Sequence, residues 1–332
     1  MFRFIIRRVL ISIPMLVLAS FLCFALTTAM GDPLGEWKLQ KPRSPGEIAA
    51  AEEAVGSNKP FLERYGNWAV HFAEGDWGKE VVPGDTGLDV KPTVLKAVGI
   101  TARLVIASEI IALLLGMAVG VIGAVRQYSA FDYTATGIAF TMFSMPLFCV
   151  ALVIKSLGIN VNDWLEKVGL GRWLTTAGPP GEGFNGSLGH QIYQYTGAFI
   201  LPTICLVSIQ FALYSRFQRA SMLDVLNADY VRTAQAKGIS QARVVFRHAY
   251  RNALIPIATV SALNFGSLVG GAVITETVFG WQGMGKLLVD SINHLEPYMV
   301  LGFMMTTAVF IIAFNLIADI LYAFLDPRIR LD

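Results

Sequence analysis

Few residues in this 332-residue chain are of types that could do chemistry, and their spacing argues against catalysis. The stretch Gly280-Trp-Gln-Gly-Met-Gly285-Lys286-Leu287 comes within one residue of the phosphate-cradling Gly-x4-Gly-Lys-Ser/Thr loop. Leu287 has no hydroxyl to hold Mg²⁺ and no strand–loop–helix pattern surrounds it, so it reads as a tight glycine-rich loop. His71, His190, His248 and His294 all fall in loops between apolar stretches. No Cys-x-x-Cys or His-Glu-x-x-His spacing occurs. Cys23, Cys149 and Cys205 lie far apart inside apolar segments, as small fillers rather than metal ligands or a disulfide framework. The triplet Asn185-Gly-Ser187 matches a glycosylation signal but is too short to carry weight. No catalytic, cofactor-binding or metal-binding residue is assigned.

The composition around these residues explains their scarcity. Hydrophobic residues make up 54% of the chain and charged ones 15%, whereas a soluble domain carries about 25% charged residues. Much of the surface must face lipid. The net charge of +2 gives no indication of nucleic acid. Crossing the hydrocarbon core takes about 20 apolar residues in a helix. Six segments qualify, at 9–30, 104–125, 134–157, 198–214, 255–275 and 299–321. All are of helix length, which disfavours a barrel of alternating strands. Arg3, Arg7 and Arg8 precede the first segment, as in a signal peptide. Its apolar run exceeds the usual length and lacks a small-x-small cleavage site, so an uncleaved anchor is expected.

Charge asymmetry in the short loops orients the spans. Residues 215–254 carry Arg216, Arg219, Arg232, Lys237, Arg243, Arg247 and Arg251 against Asp224 and Asp229, and the tail adds Arg328 and Arg330. The loop at 276–297 is balanced toward acid by Glu276, Asp290 and Glu296 against Lys286. Both termini are therefore expected in the cytoplasm. Two outer segments are long enough to hold structure. One runs from 31 to 98, with short helices expected at 46–55 and 61–74; the other, at 158–197, contains Gly178-Pro179-Pro180-Gly181. Each reads either as a solvated connector or as a platform for an extracytoplasmic partner.

The basic inner loop is the most informative segment. Residues 228–237 are rich in helix formers and end at Gly238, where a left-handed cap is expected. Ser240 can then cap a second helix over 241–252, and Pro256 fits the start or a kink of the next span. Tyr230, Val231 and Ala234 share a face by their spacing. So short a pair of helices is marginal alone and needs either a partner groove or anionic lipid headgroups to lie on.

Arg232-Thr-Ala-Gln-Ala-Lys-Gly238 and His248-Ala-Tyr-Arg-Asn-Ala-Leu-Ile-Pro256 resemble the "EAA" loop of ABC importer permeases, in the form found in the dipeptide/oligopeptide branch. Arg7-Arg8 with Gly31-Asp32-Pro33, the run from Gly271 through Glu276 and Trp281 to Gly285, and the closing Leu321-Tyr-Ala-Phe-Leu-Asp-Pro-Arg-Ile-Arg330 extend the resemblance from end to end in one register. Where the general motif has Glu-Ala-Ala this chain has Arg232-Thr-Ala234, so no role of that glutamate carries over.

The resemblance implies an all-α membrane protein of about six spans with a type I importer permease core. Residues 1–30 would form the tail and first span, 31–98 an extracytoplasmic segment, 99–326 the core with its coupling loop at 215–254, and 327–332 a cytoplasmic tail. Its partners would be a second, homologous permease, an extracytoplasmic solute-binding protein, and two cytoplasmic ATPase subunits or one fused ATPase, which hold the ATP and Mg²⁺. In the coupling loop Gly238 would form the elbow, helped by the Ser240 cap. Tyr230, Val231 and Ala234 would fill a groove on the ATPase, and Lys237, Arg243 and Arg247 would meet acids on its rim.

Within the spans, Gly116-x3-Gly120 and Gly266-x3-Gly270 allow close helix approach. Intramembrane polar groups usually face the bundle interior. Glu109, Ser261, Asn264 and Ser267 are candidates to line a pathway, although Glu109 has Arg103 nearby as a structural partner; Asp319 reads as a structural acceptor. Peptide is the expected substrate, with nickel, glutathione or an oligosaccharide as alternatives in the same branch. An intramembrane enzyme would need a Ser/His, His/Glu or Asp/Asp pair at helical spacing, which is missing. A stand-alone carrier or channel would leave the two-helix loop without a use.

Overall fold

The computed structural model describes residues 2–40, 44–56, 58–81, 87–178 and 187–325. Its elements, in chain order, are α1 (Phe2–Ala29), α2 (Gly35–Gln40), α3 (Pro45–Val55), α4 (Phe61–Glu74), α5 (Val90–Val125), α6 (Ala130–Ser144), α7 (Leu147–Lys167), α8 (Leu188–Leu226), α9 (Asp229–Ala236) and α10 (Gln241–Arg243). A π-helical stretch (Val244–Ala249) joins α10 to α11 (Tyr250–Gly271), followed by α12 (Val273–Phe279), α13 (Met284–Asn293) and α14 (Pro297–Leu325). Among the described residues the only strand-like pairing is an isolated bridge between Lys79 and Asp89.

Among the described residues, five helices are long and apolar enough to cross a membrane: Ile5–Ala29, Val90–Val125, Leu147–Lys167, Leu188–Leu226 and Pro297–Leu321. The helix expected over 134–157 is broken. Pro146 lacks an N–H, and its ring pushes Met145 into extended backbone (φ −83°, ψ 133°), so α6 stops and α7 begins anew. The segment expected over 255–275 is divided: α11 ends at Gly271, and residues 273–275 open the separate α12. Three of the histidines expected in loops are helical: His71 in α4, His190 in α8 and His248 in the π-helical stretch. The cysteines form no disulfide. The tail at 327–332, with Arg328 and Arg330, and Pro179–Pro180–Gly181 lie outside the described residues.

The chain divides into two compact units. The first comprises Met1–Thr101 and Gln282–Ala313. Its short helices fall where their end signals put them: Ser44 and Glu47 form a capping box at the start of α3, and Gly56 and Gly75 take left-handed backbone after α3 and α4. Phe61, Tyr65, Trp68 and Phe72 recur at helical spacing along α4 and meet α1. Phe21 lies edge-on to Phe61 and Tyr65 at 5.5 and 5.2 Å, and Phe24 packs on Trp68 at 5.5 Å. A buried ring of this kind stabilises by about 1.5–3 kcal/mol. Ser20 Oγ and Tyr65 Oη, 2.9 Å apart, add a polar tie. A second cluster joins Val90, Val94 and Ala97 to Met284, Met299 and Phe303. Gly302 permits it, because a Cβ there would stand 2.9 Å from Val90 Cγ1. The Met284 N–H, in the first turn of α13, donates to buried Thr101 Oγ1 at 2.8 Å.

The second unit, Ala102–Trp281 with Phe314–Asp332, is built around α8. Gly116 and Gly120 of α5 lie one turn apart against it. A Cβ on either would come within 2.6 Å of Tyr214 Cβ or 2.7 Å of Gln218 Cβ, so only hydrogen lets the backbones approach this closely. Below this crossing Arg219 forms a two-pronged ion pair with Asp132, at 2.6 and 2.8 Å. The Tyr128 N–H donates to the same carboxylate at 3.0 Å, and Ser129 Oγ caps α6 by accepting from the Asp132 N–H at 3.2 Å. Arg216, one turn earlier on α8, lies over the rings of Phe140 and Phe143.

Arg219 holds the Asp132 carboxyl below the usual carboxylate range. A lowered folded-state pKa means that the pair stabilises fully above the unfolded value of about 3.9 and loses that contribution as pH falls through the folded value. Asp132→Asn should therefore cost about 3 kcal/mol at pH 7 by leaving Arg219 without its charge partner. The same variant should flatten the loss of thermal stability below about pH 4. Melting curves of detergent-purified protein across pH would test both expectations.

Candidate functional site

The basic segment after α8 is an ordered elbow. Helix α8 ends at Leu226, Ala228 turns extended (φ −71°, ψ 146°), and α9 begins at Asp229. Its end is a Schellman cap: the Gly238 N–H donates to the Gln235 carbonyl at 2.9 Å, and the Ile239 N–H to the Ala234 carbonyl at 3.3 Å. Gly238 carries φ +73°, as its position after 228–237 required. Ser240 stands at the start of α10 in extended backbone, but its hydroxyl makes no cap bond; its carbonyl instead accepts from the Val244 N–H at 3.0 Å.

The second arm is not the separate short helix expected over 241–252. With no breaker before Pro256, α10, the π-helical stretch and α11 run on as one rod, and Pro256 sits inside α11. Two clusters fix the elbow. Val231, Ala234 and Val244 bury against Val225 and Ile239. Val245, Ala249 and Ala253 pack on Met222 of α8 and on Val121 and Ala124 of α5. The Ser221 hydroxyl donates to the Ala253 carbonyl at 3.1 Å, and Asn252 Nδ2 donates to the Tyr230 hydroxyl at 2.8 Å.

These contacts correct the groove-filling role expected of Val231 and Ala234. Both are buried in the chain's own core, at 0% and 7% exposure, because the apolar face of α9 closes on the rod instead of a partner. Tyr230 faces outward at 45% exposure. Lys237, Gly238, Ser240, Arg243 and Arg247 are all exposed. Phe246, 66% exposed among these cations, was missed. Its signal was a large apolar residue immediately before Arg247 in a run otherwise turned inward.

A second polar site lies between α5, α8 and α11. Glu109 is 3% exposed; the Tyr214 hydroxyl donates to one of its carboxylate oxygens and Gln210 Nε2 to the other at 3.4 Å. Asn264 Nδ2 donates to the Tyr214 hydroxyl at 2.9 Å, completing a chain across three helices. Arg103, weighed as a partner for Glu109, is exposed. The Ser261 hydroxyl bonds back to the Ala258 carbonyl of its own helix at 3.1 Å. The Ser267 side chain lies outside the described residues.

Residues 112–331 match the family model described as binding-protein-dependent transport system inner membrane component, and residues 1–82 match the model of its N-terminal region. The chain belongs to this permease family. It is 36% identical over 333 residues to an oligopeptide transport system permease protein of Bacillus subtilis, covering 99% of this chain and 100% of the relative. An oligopeptide transport system permease protein of Mycobacterium bovis is 34% identical over 331 residues, and a dipeptide transport system permease protein of Escherichia coli K12 is 35% identical over 347. Each of these two alignments covers 99% of both chains. This permease is therefore an integral membrane protein.

Of the residues proposed to line a pathway, the permease brings Glu109 and Asn264 together through Tyr214 and leaves Ser261 apart. Neither Tyr214 nor Gln210 stood out in the sequence: Gln210 sits between apolar neighbours, and Tyr214 closes the apolar segment one helical turn later. Glu109→Gln preserves an acceptor for Tyr214 and should be tolerated. Glu109→Leu strands the hydroxyl and the Gln210 amide in a dry interior and should cost about 1–3 kcal/mol. Thermal unfolding of the two variants in matched detergent would distinguish them.

Proposed function

We propose that this chain is the membrane-spanning permease of an ATP-driven importer for oligopeptides or dipeptides. A homologous permease completes the pathway, an extracytoplasmic binding protein delivers the peptide, and cytoplasmic ATPase subunits supply the energy. The termini and the elbow lie in the cytoplasm, in keeping with the seven cations of residues 215–254. The span count of six follows if α11 crosses the membrane beside the five helices named above.

The observation that carries the reading is the elbow: a rigid corner, locked from within by Val231, Ala234 and Val244, that presents Tyr230, Lys237, Arg243 and Arg247 outward. A solvated connector needs no internal core and no glycine-capped corner. A surface that must pass on a push needs both. In this reading the exposed cations and Tyr230 meet the ATPase, while the buried residues keep the corner from yielding. ATP binding closes the ATPase dimer, moves the elbow, and rocks the helices between inward- and outward-open states. The chemistry of ATP hydrolysis takes place on the partner, which holds the ATP and Mg²⁺. The full-length similarity to peptide permeases supports peptide as the cargo.

Gly238→Val places a β-branched residue at φ +73°, a strained conformation for any side chain. No atom lies within 4 Å of the added Cβ, so the expected damage is to the corner alone. Membrane insertion should persist while ATP-coupled uptake falls by about tenfold or more. Uptake at the unaltered rate would remove the coupling role. Cargo is tested by ATPase stimulation of the reconstituted complex with its binding protein loaded with peptide, nickel or glutathione. Stimulation by nickel or glutathione with none by any peptide would sink the peptide assignment.

A further inference from the structure

The first unit contains a cavity of about 570 Å³ walled by the end of α1, by α3 and α4, and by the start of α14. This volume falls within the range of small-molecule sites, about 300–1,000 Å³. Its floor is aromatic, with Phe24, Trp68 and Tyr298 packed in one cluster. Its charges are arranged unevenly. Lys38 is spent on Asp32 and Glu52, at 2.7 Å each, and Lys59 lies 3.4 Å from Glu63. Arg64 also lines the wall, where its guanidinium stands 6.0 Å above the Phe24 ring, and it forms no ion pair among the described residues. Trp68, on the same face of α4, is 8% exposed, and its indole N–H has no acceptor. Two donors beside one aromatic floor are suited to a carboxylate. Away from Arg64 in the sequence, Glu53 of α3 and Asp76 just past the end of α4 also line the cavity and supply negative charge, with no cation paired to either among the described residues.

We infer that this cavity binds a short peptide by its two free ends, the C-terminal carboxylate at Arg64 and the N-terminal ammonium at Glu53 and Asp76, with apolar side chains on the aromatic floor. The inference rests on the peptide reading above and adds to it a peptide site on the permease itself. The opposed charges favour a zwitterion over a lipid phosphate, since a phosphodiester would gain Arg64 but face two carboxylates. The ion pairs of Lys38 fix α2 and α3 at the rim, so the wall is built before any ligand arrives.

The test uses the complete transporter in nanodiscs of phosphatidylcholine, with the binding protein omitted and radiolabelled alanyl-phenylalanine as the probe. Saturable binding is expected. Arg64→Gln should weaken it by about tenfold or more, and Arg64→Lys should recover part of the loss. N-acetyl-alanyl-phenylalanine amide, lacking both charged ends, should not compete, and phosphatidylglycerol in the disc should not displace the probe. The inference is overturned by absence of saturable binding, by equal affinity in Arg64→Gln, by full competition from the blocked peptide, or by displacement with phosphatidylglycerol. The blocked-peptide comparison needs only the unaltered chain, so a poorly folding variant does not shield the idea. ATP-driven uptake with the binding protein restored is measured in parallel. Peptide uptake without the binding site refutes this inference alone, whereas no peptide uptake refutes the proposed function.

Discussion

The close approach of α5 and α8 at Gly116 and Gly120 is the contact on which the second unit depends. With no hydrophobic driving force between helices in lipid, association rests on dispersion and on hydrogen bonds that only near-touching backbones can reach. Two glycines one turn apart bring the helices to that distance at Tyr214 and Gln218. The two polar contacts that flank the crossing follow from that geometry. Above the crossing, the Tyr214 hydroxyl can reach Glu109. Below it, Arg219 can reach Asp132. Had α8 stood a methyl group farther away, both bonds would have had to stretch, and a carboxylate would have remained unsatisfied in a dry interior.

The elbow inherits its position from the same helix. Met222 continues the α8 face that begins at Tyr214 and Gln218, and Val245, Ala249 and Ala253 close on it together with Val121 and Ala124 of α5. The exposed charged surface of the elbow is thus the far side of a packing arrangement that starts where α5 and α8 cross. The small residues Ala249 and Ala253 do for the rod what Gly116 and Gly120 do for α5: they bring backbones close, so that Ser221 can bond to the Ala253 carbonyl.

Much of this was legible from residue order, and the reasons differ by element. The helices at 45–55 and 61–74 were readable because their ends carry local signals, Ser44 with Glu47 at one end and Gly56 or Gly75 at the other. Gly238 was readable for the same reason. The break at Pro146 was hidden because the apolar count runs straight through it, while the backbone restriction on Met145 does not alter hydropathy. Val231 and Ala234 were recognised as one apolar face, but periodicity says which residues share a face and not what covers it. Their cover, Val244, comes from beyond the turn. The Tyr214–Glu109 bond joins residues more than a hundred positions apart, a pairing set by helix packing and visible only once α5 and α8 are placed.

The rod formed by residues 241–271 has a mechanical consequence. At 1.5 Å per residue it is roughly 45 Å long, comparable to the full thickness of a bilayer with its headgroups. A displacement imposed at Arg243 therefore reaches the opposite end in a single element, with no loop in which to dissipate. Its compliance is confined to two places, the widened turns at Val244–Ala249 and the missing backbone bond at Pro256. In the coupling role proposed above, stiffness elsewhere and softness at these points would make the rod a transmission shaft with two joints, bending at Val244–Ala249 and at Pro256.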